Sequence, residues 1–220
     1  MRVLDSDEIV RLLDASPERY RPLLATAAFG GLRLAELLGL VWADVDFAAG
    51  LLHVRRQFDR EHRRAELKTD RSARSVMLIP ALAATLREHR LASRFSGDDD
   101  PVFASLAGTP FPWRNVERRG MDKAVENAKL DAVPGRRRPT LHDLRDSFAS
   151  MLIATGLDVV FVSRQLGHAD PTVTLRVYAD LFDRARHADT ARAAFEASYG
   201  TILERSGSTR SGSMRTTAFA

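Results

Sequence analysis

Most of this chain repeats its apolar residues at a spacing of three and four, and only the stretch from Leu51 to Ile79 breaks that rhythm. Helical spacing gathers the apolar side chains on one face, and that face must be buried against another element. The chain is therefore expected to fold as packed helices around a small β insertion. Asp5, three residues before Glu8, predicts a capping box that opens a first helix with Ile9, Leu12 and Leu13 turned inward. A second helix is predicted from Glu18 to Phe29, stopped by Gly30-Gly31, and a third segment from Arg33 to Leu40. Leu51 to Phe58, Ala65 to Thr69 and Ser75 to Ile79 read as three short strands of one antiparallel sheet, with β-branched Val54 and Val76 and charged turns between. Pro80 opens a helix running to about Arg94, and Gly97 to Pro101 is a loop. Further helices are predicted from Trp113 to Leu130, Thr140 to Thr155, Asp158 to Leu166 and Pro171 to Tyr178, with a last one to about Ser198. The fold class is α+β, mainly helical, with a small three-stranded antiparallel sheet.

A length of 220 residues suits one domain with a tail. The expected division is a domain over 1–198 and a flexible basic tail over 199–220, whose later part is rich in Ser, Thr, Gly and Arg. The chain has no cysteine, which excludes disulfides and cysteine-ligated zinc. No uncharged apolar run approaches the ~18 residues that span a membrane, and the first residues lack a signal-peptide hydrophobic region. A soluble protein of the cytoplasm is expected. The net charge of +4 is small, but it is clustered. His53 to Arg74 holds eight Lys/Arg against four Asp/Glu, and Arg114 to Arg138 holds the same numbers. Guanidinium grips phosphate oxygens bidentately, so clustered arginine favours phosphate contact, while composition alone fits a solvated, salt-bridged surface equally well.

Four local patterns carry possible chemistry. In Thr140-Leu141-His142-Asp143-Leu144-Arg145-Asp146-Ser147-Phe148 the apolar residues form a core face. His142 and Arg145, three apart, project from the same side with β-carbons about 5–6 Å apart. In Leu166-Gly167-His168-Ala169-Asp170-Pro171, Gly167 suits a helix C-terminus and Pro171 the next helix start, so His168 sits on a tight turn and Tyr178 near the end of the following helix. In Gly31-Leu32-Arg33-Leu34-Ala35-Glu36-Leu37, Arg33 and Glu36 are the only charges in an apolar segment and can pair. Lys68 enters a predicted hairpin turn at Leu67-Lys68-Thr69. Each pattern alone is more often ordinary helix or hairpin surface.

Taken together and in this order, Gly31-Leu32-Arg33-x-x-Glu36-Leu37, Lys68-Thr69, His142-x-Leu144-Arg145, Leu166-Gly167-His168 and Pro171 to Tyr178 resemble the catalytic domain of the tyrosine recombinase, or phage integrase, family, from about Leu4 to Ser198. The resemblance implies a DNA-cleaving and rejoining enzyme. Tyr178 would attack a scissile phosphodiester, forming a 3′-phosphotyrosyl link and freeing a 5′-hydroxyl. Arg33 and Arg145 would clamp the non-bridging oxygens, and Glu36 would orient Arg33. Lys68 would protonate the leaving 5′-oxygen, His142 would assist proton transfer at the tyrosine, and His168 would donate a hydrogen bond to the phosphate. Preorganised cations stabilise the charge that builds on the phosphate, so no metal and no other cofactor is expected. The expected partner is double-stranded DNA, met by a free monomer that assembles as a homo-tetramer on DNA, without membrane, in the bacterial cytoplasm and nucleoid. Members of the family usually carry an N-terminal helical domain that clamps the far side of the DNA, and the expectation here is that this domain is absent. Rival readings are a non-catalytic DNA-binding remnant, a type IB topoisomerase activity, and a metal hydrolase built on His142, Asp143, His168 and Asp170.

Overall fold

The computed structural model describes residues 1–58, 64–66 and 73–184. The chain divides into a compact unit over Met1–Ala179 and a second unit over Asp180–Ala220. The expected helix as far as Ser198, the tail over 199–220, Lys68 and the end of the expected strand Ala65 to Thr69 lie outside the described residues.

The first helix, α1 (Ser6–Asp14), opens with the expected capping box, in which the Asp5 carboxylate accepts the Glu8 N–H at 2.9 Å and the Glu8 carboxylate accepts the Asp5 N–H. Glu18–Tyr20 forms one 3₁₀ turn that leads into α2 (Arg21–Gly30). Leu23, Leu24, Ala27 and Ala28 of α2 are all buried, so this helix is the centre of the core rather than an amphipathic surface element. It packs on α7 (Leu141–Ala154) through Leu144, Phe148, Ala149 and Leu152, and on α1 and α4 (Pro80–Ala92) from other sides. The expected helix from Trp113 to Leu130 is broken into α5 (Trp113–Asn115), a π-helical stretch (Val116–Met121) and α6 (Asp122–Asn127). Gly120 lies in that stretch against the Tyr20 ring, which lets the backbone approach closely where the extra residue widens the turn.

The start of the chain is a strap on α7. The Arg2 N–H donates to Asp143 and the Leu4 N–H donates to Ser147 Oγ at 2.8 Å, while the Arg2 guanidinium pairs with Glu8 at 2.9 Å. Arg2 and Leu4 are both buried.

The strand expectations need correcting. The three-stranded antiparallel sheet is present, but it runs β1 (Val45–Asp46), β2 (Leu51–Val54), β5 (Arg74–Met77), with Leu52 opposite both Val45 and Val76. The expected strand from Leu51 to Phe58 divides at Arg55, and its second half, β3 (Arg56–Phe58), pairs instead with β4 (Arg64–Glu66) in a separate two-stranded ribbon. Asp44 holds this corner, taking Arg56 at 3.0 Å and Arg55 at 3.6 Å.

Gly31 ends α2 in the left-handed region at φ 61°. A β-carbon there would land inside contact distance of the Phe148 ring. Both the backbone sign and the packing require glycine. Gly31→Ala is therefore expected to destabilise the domain by about 2 kcal/mol or more, combining a left-handed alanine with overpacking. Urea denaturation followed by circular dichroism reads this shift, and a midpoint equal to wild type would contradict it.

Candidate active site

Glu36 lies in the first turn of α3 (Leu34–Gly39), where its carboxylate accepts the Arg33 N–H at 2.8 Å and so caps the helix. The same carboxylate takes the Arg33 guanidinium at 3.0 Å. Arg74, at the start of β5, forks onto both of its oxygens at 2.9 Å. Burial alone would push the Glu36 carboxyl up, but the hydrogen bonds and charge of Arg74, and then those of Arg33, outweigh it and hold the group at about 2. Glu36 is thus a permanent anion clamped by two cations. Arg74 is itself buried, and its Nε donates to the Gln165 carbonyl of α8 (Val159–Leu166) at 3.0 Å. Gln165 returns the tie by accepting the Met77 N–H at 3.0 Å. One carboxylate thereby binds α3, the sheet and α8 together.

Arg145 is held differently. It projects from α7, is 2% exposed, and donates to the carbonyls of Gly31 and Leu166. These carbonyls sit at the C-terminal ends of α2 and α8, where partial negative charge collects. Carbonyls orient a guanidinium without cancelling its charge, so Arg145 remains available to an incoming anion. Burial, and then the charge of Arg33, lower Arg145 to about 9, which leaves it charged at neutral pH. Arg33, Arg145 and His142 line one cavity of about 600 Å³.

His168 follows Gly167, the left-handed C-cap of α8 at φ 66°. A β-carbon at Gly167 would meet Arg74 Nη1 at 2.6 Å, so the glycine also makes room for the clamp on Glu36. His168 Nε2 lies 3.2 Å from Arg145 Nη2, and Nδ1 lies 2.7 Å from Thr174 Oγ1. Arginine can only donate, so Nε2 accepts and the imidazole proton sits on Nδ1, facing Thr174. Burial, and then the Arg145 charge, hold His168 down at about 4, so the ring is neutral. In this arrangement His168 orients Arg145, and donating to a phosphate from Nε2 requires the other tautomer.

Tyr178 belongs to α9 (Pro171–Arg184), which continues past the expected end but is interrupted at the tyrosine itself, with φ −120° and ψ 17°. The ring is 2% exposed and its hydroxyl donates to Asp146 Oδ1 at 2.7 Å. Burial, then the hydrogen bond and charge of Asp146, push the phenol above its usual range against the opposing pull of Arg145 and Arg33. His142, four residues before Asp146 on α7, is 73% exposed and reaches only to 3.9 Å from the same Asp146 oxygen.

The described geometry thus brings Arg33, Glu36, Arg145, His168 and Tyr178 into one neighbourhood, with His142 at its rim, while Lys68 lies outside the described residues. Sequence reasoning missed Arg74, Gln165, Thr174 and Asp146. Asp146 carried a signal, since it shares the helical face of His142. Arg74 carried none, because its partner is 38 residues away. The residues of the metal-hydrolase reading are engaged elsewhere: Asp143 caps α7 and pairs with Arg137, and Asp170 accepts the Thr172 N–H. The second basic window is also partly spent internally, since Arg136 pairs with Glu8, Arg137 with Asp143, and Arg138 with Asp122 and Glu126.

The Glu36 clamp predicts an acid limb in stability. The folded carboxyl lies at about 2 against 4.5 for the free group, so its contribution is complete above pH 4.5 and disappears as pH falls toward 2. The contribution is of order 3 kcal/mol. Glu36→Gln should be less stable than wild type at pH 7, with the gap closing between pH 4.5 and 2, as read by urea melts across that range. A gap that stays constant with pH would show that the carboxylate is not clamped as described.

The model of the phage integrase family matches residues 2–185. Tyrosine recombinase XerC of Xylella fastidiosa (strain 9a5c) is 33% identical over 185 residues, covering 82% of this chain and 56% of the relative. XerC of Xanthomonas axonopodis pv. citri (strain 306) is 34% identical over 185 residues, covering 82% and 54%. The chain spans about half the length of these curated relatives. Among solved structures, the Tn1549 transposon integrase in complex with circular intermediate DNA superposes with a TM-score of 0.73 at 19% identity, covering 89% of this chain and 66% of that one. The XerA recombinase superposes at 0.64 with 22% identity, covering 90% and 65%. The chain therefore belongs to the phage integrase family of tyrosine recombinases.

Proposed function

We propose that this chain cleaves and rejoins DNA strands through a covalent 3′-phosphotyrosyl intermediate on Tyr178, as a site-specific recombinase. The observation that carries this reading is a buried tyrosine hydroxyl lying within the electrostatic field of two guanidiniums, one of which, Arg145, is oriented among the described residues by carbonyls and an imidazole. Such a site offers fixed positive charge to a phosphate and an oxygen nucleophile beside it. Arg33 and Arg145 take the non-bridging oxygens, Glu36 and Arg74 hold Arg33 and its helix in place, and Lys68 protonates the leaving 5′-oxygen. The covalent link keeps the energy of the broken bond, so a second 5′-hydroxyl can reverse the attack without an external energy source. A remnant that only binds DNA has no use for a nucleophile held in this way.

The partner is double-stranded DNA; in support, the Tn1549 transposon integrase is solved in complex with circular intermediate DNA and the XerH site-specific recombinase bound to palindromic difH substrate. Among the described residues no helix is long and apolar enough to cross a membrane. A monomer when free, a tetramer on DNA and a place in the bacterial nucleoid complete the reading.

Tyr178→Phe tests it directly. The variant loses one oxygen and should bind DNA as wild type does, yet form no covalent adduct on a nicked suicide duplex run on a denaturing gel. An adduct in the variant would remove Tyr178 as the nucleophile. Lys68→Ala should slow cleavage by roughly 10²–10⁴ while weakening binding little. A substrate with sulfur at the 5′-bridging position needs no proton on leaving and should restore the rate. Equal slowing on both substrates would show that Lys68 is not the acid.

A further inference from the structure

The phenol that must attack is neutral and shut away from water, so its proton needs a destination inside the protein. The resemblance points to His142 for that task, but His142 makes no hydrogen bond with Tyr178 among the described contacts. Its ring stands 3.9 Å from the same Asp146 oxygen that accepts the phenol, beyond hydrogen-bond distance, and is largely in solvent. Asp146 instead receives the phenol directly at 2.7 Å. Both partners are buried, at 2% and 5% exposure, so the hydroxyl meets the carboxylate before it meets bulk water. The placement follows from α7: residues 142, 145 and 146 fall at spacings of three and four, so the imidazole, the phosphate-clamping guanidinium and the carboxylate share one helical face.

We propose that Asp146 is a catalytic residue, the immediate proton acceptor from Tyr178, with His142 behind it as the outlet to solvent; this rests on the reading of Tyr178 as nucleophile. In cleavage the Tyr178 oxygen bonds to phosphorus as its proton passes to Asp146 Oδ1. The bond from phosphorus to the 5′-oxygen breaks, and that oxygen takes a proton from the general acid, assigned above to Lys68. His142 is exposed and free to turn the short distance needed to draw the proton from Asp146. In rejoining, the 5′-hydroxyl gives its proton back to the neutral Lys68 amine as its oxygen bonds to phosphorus, the phosphorus–tyrosine bond breaks, and the departing phenolate takes a proton from Asp146, resupplied through His142. Burial first, and then the carboxylate, raise the phenol, since an anion beside the hydroxyl opposes ionisation until the proton can move onto the anion itself. The ring thus waits protonated and aligned.

The test uses the full chain on the nicked suicide duplex, comparing wild type, Asp146→Asn and Asp146→Glu, each also with a fluorinated, more acidic tyrosine placed at 178. Asp146→Asn should slow adduct formation at least 100-fold, within the usual range for general base loss, with DNA affinity unchanged. Asp146→Glu should recover part of that rate. The acidic tyrosine ionises without help, so it should bring Asp146→Asn to within about tenfold of its Asp146 counterpart, a rescue that a purely structural defect would not show. Titrating the Tyr178 phenol by its ultraviolet absorbance, without DNA, gives a second measure: Asp146→Asn should let it ionise at lower pH. Adduct formation by Asp146→Asn as fast as or faster than wild type, or slowing without rescue by the acidic tyrosine, would overturn the role. Absence of any adduct from wild type would instead overturn the cleavage reading and the acceptor role with it.

Discussion

A carboxylate taken out of water into a protein interior loses several kcal/mol of solvation unless fixed cations replace the water. Glu36 is in that position, and the cations that replace its water come from two different parts of the chain. Arg33 is its neighbour on α3, while Arg74 arrives from the edge of the sheet and continues to the carbonyl end of α8. The electrostatic demand of one side chain thus sets the spacing between helix, sheet and helix. Removing either partner would leave the other charge unbalanced, so the three elements hold their positions or lose them together.

Arg145 solves the opposite problem. It is as deeply placed as Glu36, yet among the described residues its hydrogen bonds go to the carbonyl ends of two helices and a neutral imidazole rather than to a carboxylate. The two residues divide the labour of the site. Glu36 is fully neutralised and gives rigidity, and Arg145 is oriented but left cationic. His168 belongs to the second group, since its neutrality allows it to support Arg145 without adding a repelling charge beside it.

What could be read from the sequence was whatever is decided locally. The capping box of Asp5 and Glu8, the glycine stops at 31 and 167, and the helical faces of α2 and α7 depend on residues within one or two turns, and all appear where expected. The ordered motif residues were legible because short spacings in a fixed order carry information that no single spacing does. The failures are failures of reach. Leu51 to Phe58 alternates without a local break, and its division at Arg55 follows from a change of partner strand and from Asp44. Arg74 looks like one more basic residue in a charged run until Glu36 is brought beside it. Asp146 could be placed on the right face, but its use by Tyr178 depends on a helix 32 residues further along the chain.

The strap formed by the first residues has a mechanical meaning. Arg2 and Leu4 do not rest on a neighbouring turn but are stitched to Asp143 and Ser147, on the same helix that carries His142, Arg145 and Asp146. A pull on the leading end of the chain is therefore carried into α7 along two hydrogen bonds, and into α1 through the pair of Arg2 with Glu8. Tension at that end loads the helix that carries the phosphate clamp, which makes the strap a lever as much as an anchor.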